Sequence, residues 1–226
     1  MTRVRNAAVA IACVAGILLA AGGWSTVLGV ATANADPSRM LALGSKAPDF
    51  RLPDVVTGQT VSLATFADQQ ALVVMVLCRH CPYVQHVKQE VARLARDYAG
   101  RRVGFVAISA NDVAAYPDDR PEQLKAMAEE AGFTFPFCYD ETQDVATAYT
   151  AVAMPDFFLF DQDRRLVYRG QLDGSRPGNR TPTTGRDLRE AIDAVLAGTP
   201  VNPDQKHATG CSIKWKVGHE PLYLRR

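Results

Sequence analysis

Hydrophobic residues occur along the chain in two patterns, as continuous runs and at helical spacing. Continuous apolar runs at 71–77 and 102–109 predict strands that are buried on both faces. Between these runs, apolar residues recur at helical spacing after Pro82, and Gly100 is placed to end that helix. The same spacing predicts a second helix over residues 121–132.

The order of the elements predicts the fold class. Residues 157–160 and 166–169 flank a polar turn and predict a β-hairpin, and a last helix is predicted over 184–197. Nearer the N-terminus, the sequence predicts a turn at 57–59 and a short strand at 60–63. Alternating strands and helices indicate a sheet covered by helices on both faces. The sequence therefore predicts a three-layer α/β/α fold.

The first 35 residues differ in composition from the rest of the chain. Arg3 and Arg5 are the only charges before Asp36, and a long apolar run leads to small-x-small sites that end at Ala35. This order is typical of a secretory signal. The run is also long enough for an uncleaved membrane anchor, which needs about 20 apolar residues. We therefore expect export to the periplasm or cell envelope, or secretion, with residues 1–35 as signal peptide or anchor.

The remaining residues divide into three parts. Residues 36–46 are predicted to be a loose lead-in linker. Residues 47–198 contain the predicted core elements and form one domain. Residues 199–226 lack clear periodicity and are expected to be an irregular tail packed on that domain.

Composition and charge exclude several classes of function. The 25 lysines and arginines against 24 acidic residues give a formal charge of +1, which provides no field to hold nucleic acid. A hydrophobic content of 47% excludes a disordered chain, and five cysteines are too few for a disulfide-built scaffold. We expect no nucleic-acid partner, and contact with a membrane only through an uncleaved anchor.

Cys78 and Cys81 lie where the first predicted core strand passes into the helix that Pro82 begins. A Cys-x-x-Cys motif at such a junction is typical of a redox pair whose sulfurs meet across the first helical turn. We expect Cys78 to be exposed, with a thiolate favoured by the helix N-terminus, by Arg79 and by a protonated His80. Cys78 is then the nucleophile, and Cys81 resolves the mixed disulfide.

Two other roles are open for this motif. One is a static structural disulfide, although so short a loop stabilises little. The other is a copper site formed by the two thiolates with His80 or His86, in a protein that is not an enzyme. No second motif completes a closed zinc site, so no metal ligands are assigned.

Six segments of the chain resemble one group of redox proteins. They are residues 78–84, 109–112, 140–143, 155–161, 173–179 and 210–215. They resemble the thioredoxin-like superfamily, and more closely its redoxin branch with alkyl hydroperoxide reductase and thiol-specific antioxidant (AhpC/TSA) domains. The resemblance covers nearly all of 44–223. It implies a thioredoxin-like fold with an N-terminal β-hairpin and a helical insert, and antioxidant or disulfide-exchange chemistry.

The resemblance also implies a role for the dipeptide Met154-Pro155. Its position matches the cis-proline that faces the cysteines in the thioredoxin fold, so we expect a cis bond here. Pro155 then presents backbone to a bound disulfide or dithiol strand. The chain has Ala153-Met154 where the group often has Cys-Thr, and we expect Met154 to add a soft apolar contact beside the substrate groove.

Peroxiredoxins provide a second test of the resemblance. They require a proline, then a threonine or serine three residues before the attacking cysteine. If Cys81 is that cysteine, Val74 and Cys78 occupy those two places, and neither matches. A thiol peroxidase is therefore the alternative to disulfide exchange rather than the first expectation.

Other candidate site residues rest on position alone. Asn111 and Asp112 end a buried strand on the same sheet edge as Cys78, where α/β sites collect. Arg176 lies in a long Gly- and Pro-rich loop that either lines a substrate groove or is only solvated. Cys211 is a candidate third redox cysteine. It is free to bridge to the Cys-x-x-Cys motif, to pair with Cys138 or to remain a buried thiol.

The sequence thus predicts an exported thiol–disulfide oxidoreductase with Cys78, Cys81 and Pro155 as its catalytic residues. Electrons travel as thiols, so the expected redox centre is the Cys78–Cys81 disulfide and no organic cofactor is needed. The expected partner is a protein or a low-molecular-weight thiol or disulfide. The thiol peroxidase and the copper-binding module are the alternatives.

Overall fold

The computed structural model describes residues 30–31 and 40–224. The predicted signal or anchor and most of the lead-in lie outside the described residues, except for one short strand at Val30–Ala31. Among the helices of the described part, none has the length and hydropathy to cross a bilayer.

Nine strands and four α-helices are present in the described residues. The strands are β1 Val30–Ala31, β2 Arg51–Pro53, β3 Thr60–Ser62, β4 Ala71–Val76, β5 Val103–Ser109, β6 Phe137–Tyr139, β7 Asp156–Phe160, β8 Leu166–Gly170 and β9 Gly210–Cys211. The helices are α1 Pro82–Asp97, α2 Pro121–Ala131, α3 Asp144–Ala148 and α4 Arg186–Ala197.

The central sheet has five strands in the order β6-β5-β4-β7-β8. β4, β5 and β6 are parallel, whereas β7 and β8 form the antiparallel hairpin. Every residue of β4 and β7 is buried, as continuous apolar strands require when helices cover both faces. The predicted α/β/α arrangement is confirmed, and β4 carries the site because it lies at the centre of the sheet.

Helix α1 begins directly after the Cys-x-x-Cys motif. Pro82 occupies its first turn, where its missing N–H costs no hydrogen bond. Val84, Val91 and Leu94 form its buried face, and the chain leaves the helix before Gly100, which has a φ of 75°. The helix is therefore fixed against the sheet with its N-terminus at the end of β4.

The lead-in is not loose where the structure describes it. The Gly44 amide donates to the Leu166 carbonyl oxygen at 2.7 Å, and the Leu166 amide donates to the Ser45 carbonyl oxygen at 2.9 Å. β8 is an edge strand of the central sheet, so its unpaired backbone groups bind this segment. After it, β2 and β3 form the expected N-terminal hairpin.

The irregular tail packs on the domain through backbone contacts. The Gln171 amide donates to the Lys206 carbonyl oxygen at 3.1 Å, and β9 pairs with both β1 and Met154. Isolated hydrogen bonds to loops leave no periodicity in the sequence, which explains why no element is predicted there. The division of the chain at residue 198 stays a prediction.

Candidate active site

Cys78 and Cys81 occupy the connection between β4 and α1, and both are completely buried. The expectation of an exposed Cys78 is therefore wrong. The polar loop before α2 holds the backbone of this connection through Asp119, and the tail reaches Cys81 through Cys211. These two segments cover sulfurs that the connection alone would leave open to solvent.

Asp119 is the central polar residue of the site, and sequence reasoning missed it. It is fully buried, and one carboxylate oxygen accepts the amides of Arg79 at 2.7 Å and His80 at 3.0 Å. The other oxygen accepts Asn111 Nδ2 at 2.7 Å and a short hydrogen bond from His80 Nδ1. Nothing distinguishes Asp119 from Asp118 in sequence, because its role depends on the path of the loop.

His80 lies beside the cysteines in surroundings that favour the protonated form of its imidazole. Its hydrogen bond to Asp119 raises the pKa of the imidazole. Its ring stacks on Tyr116 with centroids 5.2 Å apart, and Lys214 Nζ lies 5.4 Å from the centre of the same Tyr116 ring. The loop, the motif and the tail thus meet around one aromatic side chain.

Arg79 does not take the role expected for it. Its guanidinium donates to the Gln123 carbonyl oxygen in α2 at 3.1 Å. Burial, then the hydrogen bond to Cys81 and then the charge of Asp119 raise the pKa of the Cys78 thiol. The Arg79 side chain links the Cys-x-x-Cys connection to α2.

The Met154-Pro155 peptide bond is cis, as expected. Met154 is fully buried, so its side chain does not line an open groove. Its backbone pairs with the tail: the Met154 amide donates to the Cys211 carbonyl oxygen at 2.8 Å, and the Cys211 amide donates back at 3.1 Å. The Met154 backbone, next to Pro155, is thus paired with the tail at Cys211.

Cys211 is the third sulfur of the site. It is 4% exposed, and it follows Gly210, where a Cβ atom would lie 2.0 Å from the Met154 carbonyl oxygen. Only glycine permits so close a backbone approach. Cys138 lies on β6, opposite Ile108 of β5, and the four cysteines of the described residues are free thiols. The hypothesis that the tail packs near the motif is confirmed.

The three thiols have opposed acidities. Hydrogen bonds from the Cys211 thiol and then the Cys78 thiol lower the pKa of Cys81 to about 3, with a smaller contribution from the amide of Val84 at the helix N-terminus. Burial, followed by the hydrogen bond to Cys81, raises the pKa of Cys78. The hydrogen bond to Cys81 and burial raise the pKa of Cys211. The pKa of Cys81 is thus lowered and the pKa values of Cys78 and Cys211 are raised, whereas the sequence predicts the thiolate on Cys78.

Two buried amides fix the tail beside the sulfurs. The Lys214 amide donates to Asn111 Oδ1 at 2.8 Å, which links the tail to Asp119 through one side chain. Gln143 Nε2 donates to the carbonyl oxygens of Ala110 at 2.6 Å and Lys214 at 3.0 Å. Gln143 Oε1 accepts the Lys216 amide at 2.8 Å. Asn111 is thus part of the site as expected, and Gln143 was missed.

The structure separates the last two weak candidates. The Asp112 carboxylate accepts the Ala114 amide at 3.0 Å, and the Asp112 amide donates to the Lys214 carbonyl oxygen at 2.8 Å, so its backbone helps to hold the tail. Arg176 lines a small groove with Tyr83 and Pro155, and its role in binding a substrate stays a prediction. Its guanidinium donates to the Asp173 carbonyl oxygen at 2.6 Å, so the loop that carries it is internally braced.

Ligand atoms of Cys78, His80 and Asp119 lie within 4.8 Å of one another. The Asp119 oxygens already accept four hydrogen bonds, one of them from His80 Nδ1. A cation bound there displaces the bonds that hold the motif. His86, the other histidine considered for copper, forms a 2.7 Å hydrogen bond with Ser175 Oγ. The geometry favours a role for Asp119 in positioning the loop.

A buried cysteine pair between a central strand and a helix, opposite a cis-proline, defines a thioredoxin-like redox protein. Residues 42–188 match the redoxin family, and the chain belongs to that family. It is 32% identical to a Mycobacterium tuberculosis protein provisionally named a peroxiredoxin, over 56% of this chain and 83% of that protein. It is 27% identical to protein FixW of Rhizobium leguminosarum, over 58% of this chain and 62% of FixW.

Solved structures agree on the fold. An uncharacterized conserved protein from Geobacillus kaustophilus has a TM-score of 0.77 and 52% identity, over 78% of this chain and 94% of that one. A hypothetical protein from Sinorhizobium meliloti has a TM-score of 0.77 and 46% identity, over 78% and 96%. A thiol:disulfide interchange protein of the DsbE type from Chlorobium tepidum, at 20% identity and a TM-score of 0.54, shares the fold over 69% and 99%. The thioredoxin-like fold is confirmed, and family membership indicates an oxidoreductase.

Proposed function

We propose that the protein is an exported thiol–disulfide oxidoreductase whose redox centre is the Cys78–Cys81 pair. The observation that carries the proposal is the buried Cys-x-x-Cys pair between the central strand β4 and the N-terminus of α1, in which the pKa of Cys81 is lowered and that of Cys78 is raised. A thiolate is the form that attacks a disulfide, and a neighbouring protonated thiol is then available to resolve the product. This arrangement needs no organic cofactor.

The acidities assign a role to each sulfur. The Cys81 thiolate attacks a substrate disulfide, which forms a mixed disulfide and releases one substrate sulfur as a thiolate that takes up a proton. Cys78 then loses its proton and attacks the Cys81 sulfur, forming the Cys78–Cys81 disulfide and releasing the second substrate sulfur. The substrate disulfide is reduced by two electrons and the cysteine pair is oxidised by two. Either direction of net flow uses the same steps.

Asp119 and His80 act through position and charge. Asp119 fixes the loop backbone through the amides of Arg79 and His80, which keeps the two sulfurs adjacent. Burial and the hydrogen bond to Cys81 are the larger causes that raise the pKa of Cys78, and the charge of Asp119 adds to them. His80, held on the same carboxylate, places positive charge beside the Cys81 thiolate. They are positioning residues rather than reacting groups.

A thiol peroxidase is the second candidate, since the Mycobacterium tuberculosis relative has a peroxiredoxin name and the pKa of Cys81 is lowered. The Cys81 thiolate would then attack a peroxide oxygen, giving a sulfenic acid and releasing the second oxygen as alcohol or water. Against it, Val74 and Cys78 occupy the places of the proline and the hydroxyl residue that position a peroxide. We therefore rank this activity second.

The two candidates differ in their preferred oxidant. The full chain is supplied with dithiothreitol, and the reduction of bis(2-hydroxyethyl) disulfide is compared with the consumption of hydrogen peroxide. The proposal predicts catalysed disulfide reduction that Cys81→Ser abolishes and Cys138→Ser leaves unchanged. Cys138 is the matched control because it is equally buried but lies on β6. Peroxide consumption that exceeds disulfide reduction contradicts the proposal.

Export is the other part of the proposal. It rests on the charged start, the apolar run and the small-x-small sites before Asp36. The proposed compartment is the periplasm, the cell envelope or the exterior, and the partner is a protein or small thiol or disulfide. Fractionation with N-terminal sequencing tests this proposal. An exported chain that starts at Asp36 supports cleavage, an exported full-length chain supports an anchor, and a chain that stays in the cytoplasm contradicts export.

A further inference from the structure

Cys81 and Cys211 converge on one backbone atom. The Cys81 sulfur lies 3.2 Å from the Met154 carbonyl oxygen, and the Cys211 amide donates to the same oxygen at 3.1 Å. Cys81 reaches it from the N-terminus of α1, and Cys211 reaches it from the tail. Two cysteines from distant parts of the chain are therefore neighbours in a buried site.

The placement of Cys211 is built into the fold. Two hydrogen bonds with Met154 fix its register. Gly210 has no side chain, which lets the two backbones approach closely. Asn111 and Gln143 then hold the tail at Lys214 and Lys216, just beyond the cysteine. A tail that covered the motif only for stability needs no sulfur at this position.

Cys138 shows what a cysteine that only packs looks like in this protein. It is fully buried, and burial followed by the charge of Asp54 raises its pKa to about 12. No cysteine acts on it. In contrast, Cys211 and Cys81 both reach the Met154 carbonyl oxygen, and Cys211 is the largest cause of the lowered pKa of Cys81. Burial alone therefore does not account for the position of Cys211.

We propose that Cys211 is a third redox cysteine that exchanges with the Cys78–Cys81 disulfide at the sulfur of Cys81. This inference rests on the proposed function, which supplies that disulfide. The Cys211 thiolate attacks Cys81, the Cys81–Cys211 bond forms and the Cys78–Cys81 bond breaks. Cys78 leaves as a thiolate and takes up the proton that Cys211 lost. The number of disulfides is unchanged, so the step needs no further oxidant.

The exchange changes which thiol of the site is free and how the tail is attached. Before the exchange, only hydrogen bonds hold the tail against Met154. After the exchange, the Cys81–Cys211 disulfide holds the tail beside the motif, and Cys78 is a free thiol. Because a substrate strand would pair with the same backbone, the oxidised tail competes with it for Met154. Cys211 thus links the redox state of the motif to access to the motif.

Disulfide mapping tests the proposal. The reduced full chain is mixed with oxidised glutathione, stopped with acid, alkylated and digested without reduction, and the disulfide peptides are identified by mass spectrometry. In the unmodified protein we expect a Cys81–Cys211 peptide together with alkylated Cys78. In Cys78→Ser we expect the Cys81–Cys211 disulfide with loss of Cys211 alkylation, as glutathione leaves Cys81 in the second step. Cys138→Ser is the matched control and should behave as the unmodified protein.

The outcomes separate this proposal from the proposed function. Disulfide between Cys78 and Cys81 alone, with Cys211 fully alkylated in the unmodified protein and in Cys78→Ser, overturns the third-cysteine proposal and leaves the proposed function intact. Alkylation of all three cysteines in the unmodified protein contradicts the proposed function and the third-cysteine role together. Cys211→Ser provides an independent variant, in which we expect the Cys78–Cys81 disulfide and loss of alkylated Cys78.

Discussion

The Cys-x-x-Cys loop and the tail segment 210–216 meet at the same carbonyl oxygen, but they are held there in different ways. The loop is placed by a central buried strand, a helix that begins at Pro82 and the carboxylate of Asp119. The tail segment has one short strand, and hydrogen bonds hold it: two with Met154, two with Gln143 and one each with Asn111 and Asp112.

This difference has a consequence for stability and motion. The loop is continuous with the most buried elements of the sheet, so opening it requires disruption of the core. Opening the tail segment breaks a few hydrogen bonds, each with a net contribution of about 1 kcal/mol, and exposes the buried side chains of Cys211 and Ile213 but no strand of the central sheet. We therefore expect the tail, rather than the loop, to move when a substrate reaches the sulfurs.

The largest expected effect is the difference in reactivity between the two cysteines of the loop. Cys81→Ser should slow the first reaction with oxidised glutathione by about a thousandfold or more, because it removes the thiol of lowered pKa while burial still raises the pKa of Cys78 and of Cys211. Cys78→Ser should retain that first step. The measurement is the rate of glutathione addition by mass spectrometry, with Cys138→Ser as control. Addition to Cys78 in Cys81→Ser at the unmodified rate contradicts the assignment and restores Cys78 as nucleophile.

The next effect tests how the tail is held. Gln143→Leu removes the two hydrogen bonds from Gln143 to the tail, at Lys214 and Lys216, and should lower the free energy of tail opening by about 2 kcal/mol. Alkylation of Cys211 by a maleimide should then accelerate about 30-fold, measured by peptide mapping. Gln89→Leu, at an exposed position on α1, is the matched control. Equal rates in both variants would show that Gln143 does not hold the tail.

A third prediction concerns the pH dependence of the loop. The pKa of His80 is raised in the folded protein, so its contribution to stability is complete below the unfolded pKa of about 6.5 and disappears as pH rises through the folded value. Asp119→Asn removes the anion that causes the shift. The loss in unfolding free energy caused by Asp119→Asn should therefore be larger at pH 6 than at pH 9, by about 1 kcal/mol, measured in urea. An equal loss at both pH values refutes the His80–Asp119 coupling.

The smallest effect is spectroscopic. Trp215 lies partly buried in the tail segment, four positions after Cys211, and should change its emission when the cysteines are oxidised. Trp215→Phe isolates its signal from that of Trp24. Identical emission from the reduced and oxidised protein would remove the support for a tail that responds to redox state.

Sequence reasoning predicted the loop better than the tail for physical reasons. Continuous apolar strands and helical spacing identify β4 and α1, and their junction identifies Cys78 and Cys81. No sequence pattern identifies Asp119 or Gln143, because their roles depend on the loops that bring them to the site. The acidity order of the cysteines was wrong because the thiol of Cys211, from the tail, contributes the largest effect on Cys81.

The central claim is that Cys81 is the sulfur shared by Cys78 and Cys211. The most direct test equilibrates the full chain across a series of glutathione redox buffers, alkylates it and maps each cysteine. The account predicts that Cys81 becomes protected as one member of a two-electron couple, with the second protected sulfur divided between Cys78 and Cys211, while Cys138 stays alkylated. Cys81 that stays alkylated across the whole series, or stays protected throughout it, contradicts the account.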